Sequence, residues 1–145
     1  MQSPENFNGR PNVDGIVLLA SAARTATGNG SAVQVDGMSA LILQLDLTAA
    51  ATDVGDTLDV YVQTTIDGTN WVDVYHFTQM LGNGGAKRYY GKLLFDAALT
   101  EFENAAALGA AAGRSIFGSQ YRVRWAITDA DVDCSFTFSV LANGT

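Results

Sequence analysis

Cysteine is nearly absent from this chain, and its scarcity excludes two chemistries. The single thiol, Cys134, leaves no partner for an intrachain disulfide, and no Cys-x-x-Cys pair exists for zinc or redox work. Histidine is as scarce. His76 stands alone, so no multi-histidine metal site can form, and a nucleophilic Cys134 would have only this one base to call on. Positive charge is short as well: 8 Lys and Arg face 15 Asp and Glu, a formal charge of −7. The cations gather in two small groups, Lys87-Arg88-Lys92 and Arg122-Arg124, which read as long solvated side chains on strands. No basic stripe exists for a phosphate backbone, so nucleic acid is not an expected partner. Nor is a membrane. Apolar runs stay well short of the ~18 residues of a membrane helix. The opening Met1-Gln2-Ser3-Pro4-Glu5-Asn6 lacks the basic start and apolar centre of a secretory signal.

What remains suits one packed domain. At 145 residues, 48% apolar and 16% charged, the chain can bury roughly 70% of the surface its unfolded form exposes. Both prolines, Pro4 and Pro11, fall in a polar opening stretch with Gly9, which reads as an extended arm over residues 1–13. Period-two patterning then takes over and defines a single β domain over 14–145. Leu41, Leu43, Leu45 and Leu47 share one face, as do Leu58, Val60, Val62, Thr64 and Ile66. Asp67-Gly68-Thr69-Asn70 follows, and Asp-Gly supplies the positive φ of a tight hairpin, so the flanking strands should pair antiparallel. The second of them, Trp71 to Thr78, carries apolar groups on both faces: Val72 and Val74 opposite Trp71, Tyr75 and Phe77. Such a strand is to be covered on both sides, by its own fold or by a neighbouring subunit.

Gly82-Asn83-Gly84-Gly85 is a turn, and a strand follows near residues 87–95. Thr100-Glu101-Phe102-Glu103 has capping-box spacing and predicts one short Ala-rich helix over 101–112, weakened by Gly109. Two late strands, around Val123-Arg124-Trp125 and Cys134 to Val140, close the chain. With weaker strands at 16–22 and 32–35, the total is about eight, spaced as in a sandwich. Leu43, Leu45, Val60, Val62, Val123, Trp125, Phe136 and Phe138 are the expected core, with Cys134 in phase with them as an inert core thiol.

Motifs for chemistry are wanting. Asp129, Asp131 and Asp133 begin like a calcium loop, but the sixth and twelfth positions, Cys134 and Val140, break the EF-hand pattern. Carboxylate pairs such as Asp53/Asp56 and Glu101/Glu103 sit in loops, and Gly82 to Gly85 lacks the Lys-Ser/Thr of a phosphate loop. We expect no enzyme activity and no cofactor or metal requirement. Of the aromatics Trp71, Tyr75, Tyr89, Tyr90, Tyr121 and Trp125, Trp125 shares its face with Val123 and Ile127 and is core, and one or two of the rest are left for a sugar-stacking platform or an interface.

The segments Val35 to Ala49, Asp56 to Trp71, Tyr121 to Trp125 and Ser135 to Val140 resemble small tailed-bacteriophage virion proteins of the head decoration (cement) type. The resemblance spans roughly Ala32 to Leu141 and rests on strand-and-turn patterns. It implies an all-β, antiparallel jelly-roll-like sandwich with that one short helix. It also implies a structural role on the outer surface of the head, with the major capsid protein and copies of itself, as a homotrimer, for partners. Interface candidates are Phe7 and Arg10 on the arm, Val72 and Val74 on the doubly apolar strand, and the adjacent aromatics Tyr89 and Tyr90. A minor tail component or a carbohydrate-binding sandwich of a virion is the alternative, and an enzyme ranks last.

Overall fold

The computed structural model describes residues 15–35, 38–94, 98, 101–104, 107–129 and 133–144. The arm expected over 1–13, with Phe7 and Arg10, lies outside them. Among the described residues eleven strands run in chain order: β1 (Ile16–Arg24), β2 (Gly28–Asn29), β3 (Val33–Gln34), β4 (Ala40–Ala49), β5 (Thr57–Thr65), β6 (Trp71–His76), β7 (Met80–Leu81), β8 (Lys87–Leu94), β9 (Ala112–Gly113), β10 (Gln120–Thr128) and β11 (Phe136–Gly144). Four of these are two-residue pieces, and all pairings are antiparallel.

Two sheets face each other. One has the order β1-β11-β4-β8; the other runs β2-β10-β5-β6-β9, with β3 on β10 and β7 on β5. The alternation in β4, β5, β10 and β11 explains the division, because every second residue must leave water and two such faces cover each other. Leu41, Leu43, Leu45, Leu47, Leu58, Val60, Val62, Val123, Phe136, Phe138 and Val140 fill the space between, with Trp125 and Cys134 beside them. Every residue of the expected core is there. Trp125 donates its indole N–H to the Ala26 carbonyl at 2.8 Å and meets Phe138 edge-on.

The Asp-Gly hairpin joins β5 to β6 as expected, with Thr65 opposite Trp71 and Gly68 at φ +80°. Two expectations fail, however. Among the described residues no helix exists, and the Ala-rich stretch instead adds β9 to the edge of β6. Ala111 donates its N–H to the His76 carbonyl and Arg114 donates to the Val74 carbonyl. Ala111 also sits at φ +57°, outside the right-handed helical region. An open sheet edge offers these backbone groups ready partners, and Gly109 already weakens the helix by about 1 kcal/mol relative to alanine.

The second failure is the two-faced strand. Pairing of β5 with β6 slips between Val62/Tyr75 and Gln63/Asp73, so one extra residue of β6, Val74, is accommodated there. The phase therefore changes within the strand. Trp71, Asp73 and His76 face outward with Thr65, Gln63 and Tyr61, while Val72 and Tyr75 go inward with Thr64 and Val62. Tyr75 crosses to the opposite sheet, where a Cβ added at Gly91 would run into its ring. Val74 is 0% exposed in the chain's own core, and Val72 packs against that core. The surplus apolar face read from the alternation does not exist.

Candidate interaction surfaces

The outer face of the larger sheet carries a polar ladder that no single segment reveals. The Arg124 guanidinium forks onto Asp73, Nη2 to Oδ2 at 2.8 Å and Nε to Oδ1 at 3.2 Å, and stacks 3.8 Å from the Tyr61 ring. Gln63 donates to Asp73 at 2.9 Å and accepts from Arg122 Nε at 2.7 Å. Burial opposes the charge of Arg124, but hydrogen bonding and attraction from Asp73 outweigh it and hold its pKa above the ordinary value. Burial, with Arg124 nearby, lowers that of Arg122. Far from being loose solvated side chains, both arginines are fixed parts of the sheet. Tyr61 in turn stacks on His76, whose Nε2 lies 2.9 Å from Asp59 Oδ1 and whose Nδ1 lies 2.9 Å from the Leu108 carbonyl. Both imidazole nitrogens face oxygen acceptors, so His76 ties the Ala-rich segment to β5 and has no lone pair directed at solvent. Cys134 is buried in the core and cannot use it as a base.

The β5–β6 turn is held by one carboxylate. Asp67 Oδ1 accepts from the Thr69 and Asn70 amides, each at 2.8 Å, and Oδ2 accepts from the Asn70 side chain at 2.6 Å. These bonds, the Asn70 amide first, push the Asp67 pKa far below the ordinary carboxylate range. A depressed folded pKa means the contribution to stability is present above the unfolded value near 3.9 and is lost only as pH falls through the lower one. The Thr69 and Asn70 amide resonances should therefore hold constant down through pH 4 and move only in stronger acid. A midpoint near pH 4 would mean these bonds are not made in solution.

Beside this turn lies a cleft of about 370 Å³, between the hairpin and the segment 101–104. Trp71 and Phe102 supply aromatic walls; Asp67, Asn70, Glu101 and Asn104 supply polar groups. Arg122 stands 4.4 Å over the Trp71 ring and Arg114 4.2 Å over Phe102. Sequence reading noted Trp71 and Glu101 separately. It missed the cleft because its walls come from segments thirty residues apart.

The outer face of the smaller sheet differs. Cross-strand register sets Val17, Leu141, Gln44 and Tyr90 in one row over β1, β11, β4 and β8, with Ile42 and Leu94 alongside. Tyr90 is 65% exposed, and Val17, Ile42 and Leu94 are about half exposed. Arg88 and Lys92 rim the row on β8, both exposed, with Arg88 3.4 Å from Asp46; Lys87, also exposed, has the parity of Tyr89. Tyr89 points the opposite way from Tyr90 and packs partly buried against the core, as alternation requires.

At one end of the sandwich Asp56, Asp129 and Cys134 place ligand atoms within 4.8 Å of one another. The sequence places Asp129 and Asp133 with Asp131, which lies outside the described residues; Asp56 joins from a loop far away in sequence. No protein-family model, curated protein or solved structure matches the chain.

Proposed function

We propose that the protein is a structural component of a tailed-bacteriophage virion, a decoration (cement) protein on the outer surface of the head. It binds the major capsid protein and, as a homotrimer, itself, through protein–protein contacts and without turnover or cofactor. The observation that carries this reading is the apolar group on the outer face of the smaller sheet, where Val17, Ile42 and Tyr90 are exposed and Leu141 is half-buried. A sandwich ordinarily presents polar side chains on its outer faces, and a contiguous apolar patch there marks a surface that meets another protein. Tyrosine is among the residues that most often anchor such contacts. The strand order adds support. Taking β2 with β3 as one strand, the sheets β1-β11-β4-β8 and β2/β3-β10-β5-β6 wind as a jelly roll does, the fold the virion resemblance implies.

The N-terminal arm supplies a second attachment. Twelve residues at ~3.3 Å each can reach about 40 Å, onto a neighbouring subunit. Phe7 and Arg10 are its candidate contacts. The test is co-sedimentation of the full chain, and of a chain lacking Met1 to Asn12, with heads stripped of the protein. The truncated chain should remain folded and attach more weakly. Equal attachment would remove the arm from the mechanism, and attachment by neither would overturn the decoration reading.

A further inference from the structure

We propose that the cleft between Trp71 and Phe102 is a binding site for a neutral saccharide. The inference does not depend on where the protein sits in a virion.

Its charges choose the ligand class. Arg122 covers the Trp71 ring at 4.4 Å and Arg114 covers Phe102 at 4.2 Å, so both rings already engage a cation. A second cation would meet two guanidinium groups at short range. An anion would meet Asp67, held ionised by the turn amides, and Glu101, which has no hydrogen-bond partner among the described residues. Guanidinium groups on the two rings and carboxylates in the lining thus disfavour a charged ligand of either sign. A neutral ligand with one apolar face and a rim of hydroxyl groups suffers neither penalty, and a pyranose has that form. Its C–H face suits an aromatic wall, and its neighbouring hydroxyls can donate to Glu101 and accept from the amides of Asn70 and Asn104.

The site is also built. Asn104 reaches back to the Trp71 carbonyl at 3.4 Å, joining one wall to the other. Trp71 is fixed at the start of β6 by its pairing with Thr65. A volume of about 370 Å³ falls within the usual ~300–1,000 Å³ of small-ligand sites. Rings pinned by arginines need little further ordering when a ligand arrives.

The experiment is an amide and indole NMR titration of the full chain with glucose, galactose, N-acetylglucosamine and their disaccharides. The Trp71 indole and Asn104 side-chain signals should shift saturably with at least one sugar, and the indole of buried Trp125 should stay still. Trp71→Ala should weaken that binding about tenfold or more. Glu101→Gln, an exposed change that leaves the fold alone, should weaken it several-fold. Failure of every sugar to move the Trp71 signal overturns the proposal. So does undiminished affinity in both variants, or saturable shifts from phosphate or ethylammonium in place of sugar.

Discussion

Replacing Phe138 by alanine should cost about 3–5 kcal/mol, the range for truncating a fully buried aromatic. Phe138 is 0% exposed, lies opposite Leu47 on β4, meets the Trp125 ring edge-on at 5.9 Å, and has the Arg24 guanidinium 5.3 Å above it. Truncation removes the apolar transfer energy and leaves a void that β10 and β11, each paired along its length, can close only in part. It also strips a ring from beneath Arg24, whose pKa burial already lowers. For a chain of this size the melting temperature should fall by roughly 10 °C. Urea denaturation is the direct measurement. An unchanged midpoint would place Phe138 outside the core.

Tyr90→Asp should abolish most attachment to heads while leaving the fold intact. The side chain is 65% exposed at the β8 end of the apolar row, on the edge strand of the sheet. Exposed substitutions of this kind usually change stability by less than about 0.5 kcal/mol. A tyrosine anchoring an interface is worth about 2 kcal/mol or more, so affinity should drop at least thirtyfold. Asp46 with Arg88 and Lys92, on the same face, makes the sign of the new charge informative. A Tyr90→Lys variant that binds like the parent, beside Tyr90→Asp that does not, would mean the partner surface is acidic. Binding by Tyr90→Asp equal to the parent, with the same melting temperature, would remove this face from the mechanism.

The Arg122–Trp71 and Arg124–Tyr61 stacks mark the border of what sequence reading could reach. Arginines alternating along one strand and aromatics along another are plain in the sequence, but their registry is not. Gln63 lies opposite Arg122 and Asp73 because β5 pairs with β10 on one side and β6 on the other. Only those pairings turn separate polar residues into one ladder. The apolar row of the smaller sheet is of the same kind. Val17, Leu141 and Tyr90 are far apart in the chain and lie unremarkably on their own strands, and they become a surface once β11 lies between β1 and β4.

By itself the sequence determined the β class, the strands β4, β5, β10 and β11, the Asp-Gly hairpin and the residues of the core. The reason is local: successive side chains of a strand point to opposite faces, so burial of one face writes period two into the residues themselves. Tertiary structure alone decided the slip at Val74, which reversed the faces of β6 and sent Tyr75 inward. It also decided the fate of the Ala-rich stretch, where the free carbonyls of Val74 and His76 offered Arg114 and Ala111 partners outside a helix. Both outcomes depend on which strand lies alongside, and a chain read one segment at a time does not contain its neighbours.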